Sequence, residues 1–148
     1  MNITYYEELN IPKIPDNLLL CDPTFIVNNY SNIWNVIETE VYRQYQVSQD
    51  LIDYLQPYFD IDISKNLKYQ ILNKNIPIHK DIGRTKAINY LIDAGGETVT
   101  TTWYSDELEP LFNKTIEPFK WHIINTEINH GITGIIDKRL ALTISIND

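Results

Sequence analysis

Two histidines and an aspartate have the types and spacing to do chemistry. His79 and Asp81 form a His-x-Asp pair, and His130 follows Asp81 by 49 residues. Two imidazole nitrogens and one carboxylate oxygen can hold one face of an Fe(II) ion, leaving three positions open for a chelating cosubstrate and dioxygen. Nine residues beyond His130, Arg139 opens an apolar run. Its planar guanidinium can pair bidentately with a carboxylate inside a pocket, where a lysine would be a point charge. A His-x-Asp pair alone carries little weight, and its context does the discriminating. Ile76, Pro77 and Ile78 bring the pair to the end of a short strand, and Gly83 permits a tight turn just beyond it. The interval to His130 leaves room for the strands that return the chain to the same mouth.

The elements that must position these residues fall into two parts, 1–65 and 66–148, of one domain spanning 1–148. Pro12, Pro15 and Pro23 suit an extended arm laid over a core, followed by an edge strand over 25–28. From Ser31, the recurrence of Trp34, Ile37, Val41 and Tyr45 at three- and four-residue steps predicts a helix. Ser48 then caps a second, short helix in which Leu51, Ile52 and Leu55 share a face before Pro57 ends it. From Leu67 onward, short runs rich in β-branched and aromatic residues predict strands over 67–72, 76–79, 86–92, 98–104, 121–125, 131–136 and 139–146. Seven strands after two helices indicate a mainly β fold, a double-stranded β-helix of the jelly-roll or cupin-like kind, with the helices on one face.

Parity supports a pocket in the last strand, because alternate side chains point to opposite faces. Leu140, Leu142, Ile144 and Ile146 form an apolar face. Arg139, Ala141, Thr143 and Ser145 form a small, polar face with a cation at its end, which reads as a pocket wall or as a solvated outer face.

Composition narrows the partners. Acidic residues outnumber basic ones 20 to 12, and the net charge of −8 opposes binding to phosphate backbones, so no nucleic acid partner is expected. A single cysteine, Cys21, read as a buried apolar residue, fits a reducing compartment: the cytoplasm, or a host's if the chain is viral. The apolar runs are far shorter than the roughly 20 residues of a membrane helix, so no membrane partner is expected.

The stretch "IHKDIGRTKAINYLI" leading to "TTTWY", with "IINTEINHGITGIIDKRLALTISI", resembles the 2-oxoglutarate- and Fe(II)-dependent dioxygenases. It is most similar to small prolyl-hydroxylase-like or aspartyl-hydroxylase-like members, including those of phages. The resemblance covers residues 66–147 and lies in the order and spacing of the motifs. It implies His79, Asp81 and His130 as the catalytic iron ligands and Arg139 as the partner of the far carboxylate of 2-oxoglutarate. Asn89, Thr143 and Ser145 would add hydrogen bonds. It further implies hydroxylation of a peptidyl side chain, amino acid or small molecule, with release of succinate and CO2 and with ascorbate as an accessory reductant. One departure concerns the cosubstrate: some members carry serine two residues after the arginine, where Ala141 stands here.

Other readings attach to several residues. His122 is read as structural, with the distal ligand as its other use. Arg139 has a surface ion pair beside Asp137 as its alternative. Arg84 is read as part of a solvated turn, otherwise as a partner of a ligand carboxylate. Trp103 and Tyr104 are read as core, with one of them lining the substrate side as the alternative, and residues 106–109 as a solvated loop or helix start or, alternatively, a lid. At the level of function, the same ligands would also serve a metal cupin that is not an oxygenase, and a silent jelly-roll interaction protein would need none of them.

Overall fold

The computed structural model describes residues 3–33 and 41–147. Its N-terminal arm opens with strand β1 (Tyr6–Glu8), and two side chains of the later sheet tether it. The Tyr90 hydroxyl accepts from Ile14 N at 3.2 Å, and the Tyr69 hydroxyl accepts from Leu20 N at 2.9 Å. The edge strand expected over 25–28 is instead part of helix α1 (Pro23–Asn29). Asp22 caps it by accepting from Thr24 N at 3.0 Å and Phe25 N at 3.3 Å, and Pro23 occupies the first turn, where its missing N–H costs nothing.

The helix expected from Ser31 has its 34–40 portion outside the described residues. Its far end is not helical, because 42–45 form strand β2 (Tyr42–Tyr45), in which Tyr45 is buried. Helix α2 (Gln49–Leu55) follows as expected. The Ser48 hydroxyl accepts from Leu51 N at 3.2 Å, and Leu51, Ile52 and Leu55 are buried.

From here the chain is a long hairpin wound upon itself. Strands β3 (Lys68–Leu72), β4 (Ile76–His79), β5 (Lys86–Asp93), β6 (Thr100–Tyr104), β7 (Pro110–Lys114), β8 (Trp121–Asn125), β9 (His130–Thr133) and β10 (Arg139–Ile146) pair from the tip outward. The antiparallel pairs are β6 with β7, β5 with β8, β4 with β9, and β3 with β10. Two further pairings, β10 with β5 and β9 with β6, close the coil. The result is two facing sheets of order β1-β8-β5-β10-β3-β2 and β4-β9-β6-β7, a double-stranded β-helix of jelly-roll type.

The main apolar core lies outside this barrel. Tyr69, Tyr90, Trp121, Leu140, Leu142 and Ile144, on the outer face of the larger sheet, pack with Ile14, Ile26 and the apolar face of α2. The parity of β10 therefore points its aliphatic face outward to this core and its Arg139, Ala141 and Ser145 inward to a cavity between the sheets. Strand β7 has no counterpart in the sequence reading. Four of its five residues are exposed, so it carries no alternation to detect, and Pro110 is tolerated because β7 is an edge.

Candidate metal centre

His79 ends β4 and His130 begins β9, and the two are direct partners in that antiparallel pair. Their rings lie 4.5 Å apart between centroids. Close approach of the strands depends on Gly131, where a Cβ would meet the Ile76 carbonyl oxygen at 2.9 Å. Asp81 stands on the loop just past β4, and its backbone N–H donates to Thr126 O at 3.0 Å. Candidate donor atoms of His79, Asp81 and His130 all lie within 4.8 Å of one another.

The imidazoles are oriented by their second nitrogens. Nδ1 of His79 donates to Pro77 O at 2.8 Å, and Nδ1 of His130 donates to Ile128 O at 2.6 Å. Because a carbonyl only accepts, each Nδ1 carries hydrogen and each Nε2 is turned to the shared point, the arrangement that a carbonyl bonded to the far ring nitrogen imposes on ligating histidines. Oδ1 of Asp81 is 2.9 Å from Nε2 of His79 and 3.4 Å from Nε2 of His130. A borderline nitrogen and oxygen donor set with no thiolate suits a divalent first-row metal.

Burial alone would raise the Asp81 carboxyl. Hydrogen bonds from His130 and His79 and the charge of Arg84 outweigh it and hold the carboxyl far below the usual carboxylate range. The same bond to Asp81 raises His79, against the opposing effect of burial. A metal entering the site competes with the proton on His79 and releases it.

The triad sits at the edge of a cavity of about 670 Å3 that Arg139, Asn89, Ser145 and His122 also line. Arg139 is 7% exposed and donates through one guanidinium nitrogen to Ala94 O at 3.3 Å. No carboxylate among the described residues forms an ion pair with it, Asp137 included. Burial pushes its pKa down to about 10, with the more distant Asp93 opposing. Arg139 and Ser145 are six residues apart on β10, a span of roughly 20 Å at 3.3 Å per residue. Arg139 therefore lies at the end of the cavity remote from Ser145 and from the His79, Asp81 and His130 cluster near it.

The remaining residues anticipated for this site divide. Asn89 pairs in register with Thr143 on β10 and with His122 on β8, and the Asn89 Oδ1 and Thr143 Oγ1 atoms are buried without hydrogen-bond partners. Thr143, expected to bond the cosubstrate, is buried and is not among the residues that line the cavity. Ser145 Oγ accepts from Arg84 at 3.2 Å. His122 is no member of the triad. It is 2% exposed, stacks on Tyr6, and is pushed down to about 4, first by burial and then by the charge of Arg139.

Arg84 is not the solvated residue expected of a turn. Its side chain is 17% exposed, and Nε lies 2.5 Å from Asp81 Oδ2. The only sequence signal was the three-residue spacing of the opposite charges. Cys21, expected buried, is exposed. Trp103 is buried, with Nε1 donating to Asn125 O at 2.8 Å, and Lys80 ties the metal-motif loop to Asp106 of the acidic stretch at 3.4 Å. Tyr42, Gln44 and Gln70 also line the cavity, contributed by β2 and β3.

No protein-family model matches the chain, and no curated protein matches it. Among solved structures, the chain is similar to vicilin from hazelnut, Corylus avellana, at 12% identity over 81% of this chain and 32% of that one, with a TM-score of 0.47. It is also similar to the coconut allergen cocosin, at 13% identity over 90% and 37% of the two chains, TM-score 0.44. A deletion mutant of Bacillus subtilis oxalate decarboxylase OxdC matches at 14% over 76% and 28%, TM-score 0.45. The chain thus spans about a third of the length of these proteins. No helix among the described residues is long and apolar enough to cross a membrane.

Proposed function

We propose that the chain is an Fe(II)- and 2-oxoglutarate-dependent oxygenase that hydroxylates a peptidyl side chain, an amino acid or a small molecule. The observation that carries this reading is a single cavity with a two-histidine, one-carboxylate face at one end and, at the other, a buried arginine with no carboxylate partner among the described residues. A buried guanidinium is costly unless an anion reaches it, so the cavity suits a ligand that offers a carboxylate to Arg139 while its other end meets the metal. A five-carbon oxo-dicarboxylate has that form.

In this reading Nε2 of His79, Nε2 of His130 and Oδ1 of Asp81 hold the metal, and the Pro77 and Ile128 carbonyls keep both rings in the ligating tautomer. Arg139 orients the cosubstrate. Asn89 Oδ1, which lines the cavity, receives whatever donor or water the ligand brings beside it. When bound, iron and 2-oxoglutarate would activate dioxygen, one oxygen atom going to succinate as CO2 is released and the other to the hydroxylated substrate.

The test is anaerobic titration of the metal-free protein with Fe(II) and then 2-oxoglutarate, following the weak visible charge-transfer band of the chelate. A band that requires both additions and weakens in Arg139→Ala supports the oxygenase. Metal binding with no band favours a cupin of other chemistry, and absence of metal binding removes the ligand assignment.

A further inference from the structure

We propose that Arg84 is a positioning residue that fixes the way Asp81 faces the metal, an inference that rests on the metal-site reading above. Asp81 has two oxygens with different surroundings. Oδ1 meets both histidines, at 2.9 and 3.4 Å, while Oδ2 meets Arg84 Nε at 2.5 Å. A second nitrogen of the same guanidinium donates to Ser145 Oγ at 3.2 Å, so Arg84 is held from the end of β10 as well as by the carboxylate. The Asp81 and Arg84 side chains are 12% and 17% exposed, which shields the pair from competing water.

The loop between them is fixed independently of the ion pair. Thr126, fully buried, accepts from Asp81 N at 3.0 Å and donates its hydroxyl to Arg84 O at 3.1 Å, while its own N–H donates to Thr85 O at 3.0 Å. Gly83, with φ of +85°, supplies the left-handed residue that the reversal needs. Backbone and side chains together leave Asp81 little freedom to turn.

The consequence is a count of coordination positions. A carboxylate free to rotate can bind a metal through both oxygens and occupy two positions. With Oδ2 committed to Arg84, Asp81 offers Oδ1 alone, and two histidines plus one oxygen leave three positions for ligands from the cavity. The fork of directed N–H donors is what lets one side chain hold Oδ2 and Ser145 together, and a lysine would keep the charge but not both bonds.

Co(II) alone serves as the probe, read by binding affinity and by its visible ligand-field spectrum at saturating metal. The expected result is a 10- to 100-fold loss of affinity in Arg84→Ala, as for other groups that orient a ligand, with a changed spectrum at saturation and partial recovery in Arg84→Lys. A residue that merely supports the fold would lower thermal stability and leave the saturated spectrum alone. Should Arg84→Ala fail to fold, Arg84→Lys and Ser145→Ala carry the same test, with a smaller spectral change expected in each. Wild-type affinity and spectrum in these variants overturn the proposal while the metal site stands. A wild-type protein that binds no Co(II) overturns both.

Discussion

At the scale of single residues, the proposed function assigns the two ends of the cavity to metal and to cosubstrate, and two variants separate them. Asp81→Ala removes the oxygen that faces both imidazoles and should abolish Fe(II) binding by equilibrium dialysis. Arg139→Ala should leave Fe(II) binding intact. A hydrogen-bonded charged group contributes about 1.5–3 kcal/mol, so its removal should weaken 2-oxoglutarate binding roughly 10- to 100-fold in the anaerobic titration. An equal loss of iron in Arg139→Ala would mean that Arg139 serves the fold. The convergence of His79, Asp81 and His130, and the placing of Arg139 on the same cavity, were legible in the sequence from residue type and order along the chain. Arg84 was not, because an arginine in a turn looks the same whether it points to water or folds back three residues onto an aspartate. His122 carried no mark of lining a cavity, since alternation in β8 does not say which side is hollow.

At the scale of elements, alternation was readable where one face of a strand is buried, which gave β3 to β6 and β8 to β10 within a few residues of their ends. It failed for β7, which is exposed on both faces, and for α1, where Phe25 to Val27 have strand-like composition but Asp22 and Pro23 start a helix. The candidate metal centre depends on one strand pair above all, β4 against β9. Gly131 is followed by backbone at 2.9 Å from any added Cβ, so Gly131→Ala must push the strands apart. Overpacking of this kind costs about 1–3 kcal/mol. The urea midpoint of Gly131→Ala should fall accordingly, and metal affinity should fall further than stability alone explains, because His79 and His130 are carried by the two strands that separate. Unchanged affinity in a destabilised Gly131→Ala protein would show that the histidines adapt independently of their strands.

At the scale of the whole molecule, the apolar core lies against the outer face of the larger sheet, and the space between the sheets is left to polar side chains and a cavity. Stability and function therefore draw on opposite faces of the same strands, and the inner wall is where stability should respond to pH. His122 is buried there beside Arg139, with Glu8 opposite it in register and Tyr6 stacked on its ring. Its pKa is held at about 4, against 6.5 for the ordinary imidazole, so between these values the unfolded chain binds a proton that the folded protein refuses. The stability from neutral His122 is fully present above pH 6.5 and is lost as pH falls toward about 4, a total of about 3 kcal/mol at 1.36 kcal/mol per pH unit. The raised pKa of His79 acts in the other direction, its contribution being complete below 6.5, and the depressed carboxyl of Asp81 loses its contribution only below about 3.8. The interval between pH 6.5 and 4 is thus governed, among these three, by His122. Urea midpoints of the metal-free protein should decline across it, and His122→Asn, which keeps a polar side chain but cannot titrate, should flatten the decline. An undiminished slope in His122→Asn would mean that the fold does not depress the pKa of His122 and that other groups set the decline.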